Sequence, residues 1–238
     1  EMTICLVGSE MCIRDSTMSI KANTLTIASI EEKYETFGPF EAGEMLVALD
    51  YGVNSLKSAK DNEELIIAIH GGNSRGYEWV YPLLQLDSEE KSIAFYRWDT
   101  SGCPNQAIKE LTTFIKDNSQ YKKIELFGHS YGGIVVGKLL EKNFSTFLEG
   151  HMIAAPLRGM FLVNLACRYR PPVKMGKNST GFQWRTQKDL DMQFKNLRYD
   201  PQLQKIDGVS VNVLPETYNG NRLGHNWSLS WVADELTK

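Results

Sequence analysis

The stretch IELFGHSYGGIVVGKLL, residues 124–140, decides how the rest of the chain is interpreted. It begins as an apolar run, passes through Gly128, Ser130 and Gly132, and continues as a helical pattern. A Gly-x-Ser-x-Gly segment between a strand and a helix is typical of a sharp turn that exposes its serine. Side chains at the two flanking positions would crowd such a turn. The sequence therefore indicates Ser130 as a candidate nucleophile, with a plain serine in a glycine-rich turn as the alternative.

Two backbone amides are candidates to stabilise negative charge on a bound carbonyl. Tyr131 opens the helix after Ser130, and the N-terminus of a helix favours an anion. A second donor is expected in the loop HGGN, which directly follows the apolar run at residues 65–69. Ligands bind at this end of the strands in open α/β sheets. We therefore assign the Tyr131 and Gly72 amides as candidate oxyanion donors, with Asn73 as the alternative to Gly72.

A histidine is the usual group to take the proton of such a serine, and the chain has four histidines. His129 adjoins Ser130, and the turn is expected to direct its side chain away. His70 opens the loop HGGN, and His151 lies at the start of a predicted buried strand. His225, in RLGHNWSLSW, lies between the last predicted long strand and the last helix. Position and elimination favour His225 as the base, and a surface histidine that caps the helix is the alternative.

A carboxylate should hold the far nitrogen of His225, and it should follow a late strand of the sheet. The predicted strand FQWRT, residues 182–186, runs into TQKDLDMQF, which contains Asp189 and Asp191. We favour Asp191, because the polar and apolar residues after it predict that the loop returns to the fold. Asp189 is the second candidate. Glu216, which follows the predicted strand VSVNVL, is the third.

Strand-like and helix-like stretches alternate along most of the chain. Continuous apolar runs suit strands that are covered on both faces, and they occur at residues 65–69, 92–96, 123–127 and 150–155. Further strands are predicted at residues 24–30, 45–50, 182–186 and 209–214, and helices at 106–117, 131–142 and 227–236. This order predicts an α/β fold with a mostly parallel central sheet, helices on both faces and no large cap domain.

The first 17 residues are set apart from the fold prediction. The segment LVGSEMCIRDS, residues 6–16, resembles translated sequencing-adapter DNA. We interpret residues 1–17 as a non-native scar, with Met18 as a candidate native start. A single α/β domain is then expected over residues 18–238.

Two cysteines remain outside the scar and the residues beside it, Cys103 and Cys167. Their spacing fits no metal site, so no metal is expected. We predict two free thiols in a reducing compartment. The N-terminal residues form no convincing secretory segment, which also favours a cytoplasmic location.

Composition excludes two classes of partner. The net charge is −3 and the basic residues are scattered, which predicts no nucleic-acid interface. No apolar run approaches the roughly 18 residues that a membrane span needs. The apolar segment MFLVNLAC, residues 160–167, is expected to pack in the core, and a flap or the lining of an acyl pocket is the alternative.

The pattern strand-GHSYGG-helix, the upstream HGG loop and the late GHN together resemble the α/β-hydrolase superfamily. The segments IAFYRWDTSG and GHMIAAPLRGM are similar to those of its small lidless lipases and esterases. The resemblance runs from about residue 45 to the C-terminus, with TQKDLD where the superfamily usually has a Gly-x-x-Asp turn.

The resemblance implies a serine hydrolase that needs no cofactor and acts on a small-molecule ester. Ser130 would be the nucleophile, His225 the base and the Tyr131 and Gly72 amides the oxyanion hole. Two alternatives stay open: the same residues in an acyltransferase or a haloperoxidase-like enzyme, or a non-catalytic binding protein with this fold.

Overall fold

The computed structural model describes residues 24–60 and 63–238. Residues 1–17 lie outside the described residues, so their interpretation as a scar stays a prediction. The helices are α1 (Ile27–Phe37), α2 (Pro39–Val47), α3 (Tyr77–Gln85), α4 (Asn105–Asp117), α5 (Tyr131–Leu140), α6 (Phe161–Ala166) and α7 (Trp227–Leu236). The strands are β1 (Gly52–Lys57), β2 (Glu64–Ile69), β3 (Lys91–Arg97), β4 (Lys123–His129), β5 (Phe147–Ile153), β6 (Ser179–Arg185), β7 (Val209–Val213), β8 (Thr217–Tyr218) and β9 (Asn221–Arg222).

The first seven strands form one sheet in the order β1-β3-β2-β4-β5-β6-β7. Only β1 runs antiparallel to its neighbour, and every other pair in this sheet is parallel. The predicted mostly parallel sheet is confirmed. Because β2 and β4 are neighbours with Ile69 opposite Gly128, the loop after β2 lies beside the turn after β4.

Helices cover both faces of the sheet. On one face, α4 and α5 pack on the strands through buried side chains such as Leu111, Phe114 and Ile134. On the other face, α1, α2, α3 and α7 enclose a second core that includes Ile30 and Trp79. Full burial of such an apolar side chain contributes about 1.5–3 kcal/mol to folding. None of the described helices is long and apolar enough to cross a membrane.

The strands predicted at residues 24–30 and 45–50 are wrong, because these residues belong to helices α1 and α2. Thr26 and Ser29 form a reciprocal capping box that starts α1. Pro39 at the first turn of α2 has the backbone geometry that starts a helix. Strand β1 and helix α3 were not predicted.

Candidate active site

Ser130 occupies the sharp turn between β4 and α5, with φ 53° and ψ −116°. Neighbouring backbone approaches the turn so closely that side chains are excluded on both sides. A Cβ added to Gly128 would lie 2.5 Å from the oxygen of Gly132, and one added to Gly132 would lie 2.2 Å from the oxygen of Ile69. The Ser130 N–H donates to the carbonyl oxygen of Ile153 at 2.8 Å, which holds the turn against β5.

The loop HGGN after β2 lies directly against this turn. A Cβ added to Gly71 would come within 2.9 Å of the Ser130 Cβ, so glycine is needed at Gly71 for the approach. At Gly72 an added Cβ would meet nothing within 4 Å, since this residue faces the open cavity. Asn73 is exposed and has a positive φ of 53°.

His70 fixes the orientation of the Gly72 amide. Arg97 and the Trp98 N–H both contact His70 Nε2, at 3.1 and 3.3 Å, so this nitrogen accepts and the proton lies on Nδ1. His70 Nδ1 then donates to the Gly71 carbonyl oxygen at 2.8 Å. In a trans peptide the carbonyl and the following N–H point in opposite directions. The Gly72 N–H is therefore directed away from the His70 ring.

Most of the predicted site residues line one cavity of about 630 Å³. Its lining includes Gly72, Ser130, Tyr131 and His225, and Asn73 lies on the same wall. The first amides of a helix have no partner within the helix, so the Tyr131 N–H at the start of α5 is available to a ligand. Among the described residues no hydrogen bond joins Ser130 to His225. Hydrogen bonds of this kind are often long before substrate binds.

Asp191 is the carboxylate that lies against His225. It is fully buried, and its Oδ2 is 2.8 Å from His225 Nδ1. The same oxygen accepts from the Thr186 hydroxyl at 2.6 Å, and Oδ1 accepts from the Gln193 N–H at 2.8 Å. With its Nδ1 proton donated to a carboxylate, a neutral His225 presents Nε2 as an acceptor.

The Asp191 contacts keep it charged. Burial alone raises the pKa of this carboxyl, but hydrogen bonds from His225, Thr186 and Gln193 and the attraction of His225 outweigh burial. Its pKa is therefore held below the usual range. An ionised Asp191 can fix the tautomer of His225 and stabilise a positive imidazolium ring.

Neither of the other two candidate carboxylates, Asp189 and Glu216, makes a described contact with His225. Asp189 is in the short 3₁₀ turn, with a side chain that is 92% exposed, and its ion-pair partner is Lys188 at 3.6 Å. Glu216 is exposed in the segment between β7 and β8. Neither is placed to orient the imidazole.

Further side chains hold His225, and the sequence reasoning missed them; one is Ser228, whose hydroxyl donates to the His225 carbonyl oxygen at 2.5 Å. Phe194 packs edge-on against the imidazole, with ring centroids 5.1 Å apart. His129 Nε2 lies 3.1 Å from the His225 carbonyl oxygen. His129 therefore supports the backbone of His225 instead of simply pointing away from Ser130. Its position next to Ser130 was the sequence feature that could have indicated this role.

His151 is the buried core histidine that its strand position predicts. It is fully buried in β5 and accepts from the Trp184 Nε1–H at 3.1 Å. With Glu125 and Glu149 it forms a group that has metal-ligand proximity. Lys123 already pairs with both carboxylates, at 3.0 and 3.2 Å, so we interpret the group as an ion-pair cluster.

The segment at residues 160–167 forms α6 at the cavity instead of packing wholly in the core. Met160, Val163 and Ala166 line the cavity, and Leu165 is exposed. Val163 also packs against the core on the sheet face that α4 and α5 cover. Of the alternatives to core packing, the lining of a pocket describes this segment better.

The prediction of two free thiols is wrong, because Cys103 and Cys167 form a disulfide. The bond joins the end of α6 to the loop before α4, and both cysteines line the cavity. They are 64 residues apart in the chain, so their spacing gave no signal of pairing. Disulfides persist mainly in oxidising compartments, which removes one support for the predicted cytoplasmic location.

Solved structures with the same architecture include two proteins with low sequence identity to this chain. Est1E from Butyrivibrio proteoclasticus, with ferulic acid bound, has a TM-score of 0.55 and 13% identity, and the match covers 78% of this chain and 92% of Est1E. LpqC, a poly(3-hydroxybutyrate) depolymerase from Bordetella parapertussis, has a TM-score of 0.50 and 13% identity over 77% of this chain and 82% of LpqC. The chain has the α/β-hydrolase fold.

Among curated proteins, a proline iminopeptidase from Saccharolobus solfataricus is 26% identical to this chain over 123 residues. The match covers 45% of this chain and spans 39% of the length of that relative. No protein-family model matches the chain.

Proposed function

We propose that this protein is a serine hydrolase that cleaves a carboxylic ester through an acyl-enzyme on Ser130. The observation that carries the proposal is the 2.8 Å hydrogen bond between buried Asp191 and His225, which lines the same cavity as a serine in a positive-φ turn. Nucleophile, base and orienting acid are the groups that acyl transfer needs.

The proposed reaction has two steps. His225 Nε2 takes the Ser130 proton as the oxygen attacks the ester carbonyl, and the amides of Tyr131 and Gly72 hold the resulting oxyanion. The protonated imidazole then gives its proton to the leaving alcohol. Water, activated by the same imidazole, releases the acid and restores Ser130. No step requires a cofactor.

The similarity to a proline iminopeptidase favours a second candidate, hydrolysis of an amide bond. The same three side chains serve both reactions, which differ in whether an alcohol or an amine leaves. An ester and an amide of the same acyl group therefore distinguish the two candidates.

The test is a panel of p-nitrophenyl esters of increasing chain length, together with p-nitroanilides of the same acids. The proposal expects turnover of at least one ester by the wild type and loss of that turnover in Ser130→Ala. Faster turnover of an anilide than of its ester would favour the peptidase candidate. Equal ester turnover in Ser130→Ala would overturn the proposal.

A further inference from the structure

A second cavity, of about 470 Å³, lies beside the candidate active site. We call it the aromatic cleft. Aromatic rings make up most of its wall, and two of them, Phe40 and Trp227, are exposed. Its other aromatic residues are Tyr34, Tyr77, Tyr81 and Tyr218.

The aromatic cleft shares a wall with the candidate active site. Tyr77, Glu78 and Asn226 line both cavities. Asn226 directly follows His225, and its Nδ2 donates to the Tyr77 hydroxyl at 2.7 Å. The cleft therefore adjoins the site that a substrate with its ester at Ser130 would occupy.

Glu78 is the one charged side chain among the described residues that line the cleft. It is 8% exposed, and its Oε1 accepts from the Ser74 hydroxyl. Its Oε2 is buried without a hydrogen-bond partner in the described part of the chain. A buried carboxylate oxygen without a donor is unfavourable, so a cation bound in the cleft that Glu78 lines would be stabilised.

Other groups at the cleft reinforce the preference for positive charge. The hydroxyls of Tyr81 and Tyr218 both donate to Asp234, at 2.7 and 2.5 Å, so a second carboxylate lies at the hydroxyl ends of these rings. Aromatic faces attract cations as well.

We propose that the aromatic cleft binds a quaternary ammonium group. This inference rests on the proposed hydrolase function where it names a substrate class. The active site would then cleave esters whose acyl or alcohol part carries a positive charge. The described residues that line the cleft include no basic side chain that would repel such a group. The exposed side chain of Arg75 lines the candidate active site but not the cleft.

The test compares choline with 3,3-dimethylbutan-1-ol, a neutral molecule of nearly the same shape, by calorimetric titration of the full chain. We expect choline to bind at least about tenfold more tightly, which corresponds to about 1.4 kcal/mol. Glu78→Gln retains an acceptor for Ser74 but removes the charge, and it should abolish this selectivity. Glu63→Gln removes an exposed charge at the other end of β2 and should leave the selectivity unchanged.

Equal affinity of the wild type for the two molecules, or no detectable binding of choline, would overturn the proposal. The wild-type comparison decides even if Glu78→Gln fails to fold. Binding does not depend on turnover, so the result is separate from the hydrolase test. Selective choline binding in a chain that cleaves no ester would support the ammonium site and contradict the proposed hydrolase.

Discussion

The side chain of His129 anchors the main chain of His225: its Nε2 lies 3.1 Å from the His225 carbonyl oxygen, and the two rings are 4.7 Å apart. A carbonyl only accepts, so the proton of His129 lies on Nε2. Burial, followed by the nearby charge of His225, lowers the pKa of His129 to about 3, and its ring stays neutral at ordinary pH. The residue before the candidate nucleophile thus positions the candidate base.

Replacing His129 should reduce turnover without abolishing it. His129→Leu removes one of the two donors to the His225 carbonyl oxygen, and the Ser228 hydroxyl remains as the other. The loss of one hydrogen bond, about 0.5–1.5 kcal/mol, corresponds to roughly a two- to tenfold loss of kcat. His129→Gln places an amide donor near the position of Nε2 and should recover most of the loss. Steady-state kinetics with one p-nitrophenyl ester measures both variants. Unchanged kcat in His129→Leu would show that the contact has no positioning role.

A matched series of carboxylate variants should identify the acid that serves His225. Asp191→Asn removes the charge that fixes the imidazole tautomer, and we expect a loss of up to roughly 10⁴ in kcat. Asp189→Asn and Glu216→Gln serve as controls, because both carboxylates are exposed and neither contacts His225. Near-normal turnover in Asp191→Asn, with collapse in either control, would assign the acid to another loop.

The stability of the fold should decrease in mild acid. Burial is the main cause that lowers the pKa of His70 to about 4, and that of His129 to about 3. Both are near 6.5 in the unfolded chain. The unfolded chain therefore binds more protons, and stability present above pH 6.5 is lost as the pH falls towards these folded values.

At pH 5 the expected loss is about 2 kcal/mol for each of these two histidines. Urea unfolding at pH 7.5 and pH 5.0 measures it. His70→Gln should reduce the difference between the two pH values by the contribution of one histidine. Identical unfolding free energies of the wild type at the two pH values would contradict the burial of both rings in their neutral form.

The disulfide between Cys103 and Cys167 should stabilise the oxidised chain. It closes a loop across 64 residues, and a bond of this kind contributes about 2–4 kcal/mol, largely by restricting the unfolded chain. Dithiothreitol should lower the melting temperature of the wild type but not that of the Cys103→Ser/Cys167→Ser double variant. Alkylation of both thiols in the untreated native protein, detected by mass spectrometry, would show that the bond is absent.

Local sequence was sufficient where one short segment determines the geometry. The turn at Ser130 could be predicted because two glycines, a preceding apolar strand and a following helix all lie within residues 124–140. The loop after FQWRT likewise pointed to Asp191 and its neighbours, although the choice over Asp189 depended on a weak pattern. The buried position of Asp191 beside Thr186 became visible only in the folded chain.

Features that depend on distant residues could not be predicted from the sequence. Cys103 and Cys167 meet because α6 folds back over the cavity, which no spacing indicates. Residues 24–30 are rich in residue types that favour strands, yet Ile27 and Ile30 also fit one face of a helix, and packing against α2 and α3 determines the outcome. The orientation of the His129 side chain depends on the backbone of His225, 96 residues later.

Covalent labelling of Ser130 tests the central claim most directly. A fluorophosphonate probe reacts when an activated serine oxygen attacks phosphorus and fluoride leaves, so labelling needs the nucleophile and its base but no knowledge of the substrate. Intact-protein and peptide mass spectrometry should show one adduct, on the peptide that contains Ser130, in the native wild type and none in Ser130→Ala or in heat-denatured protein. A native wild type that stays unlabelled, or an adduct on another residue that persists in Ser130→Ala, would contradict the account.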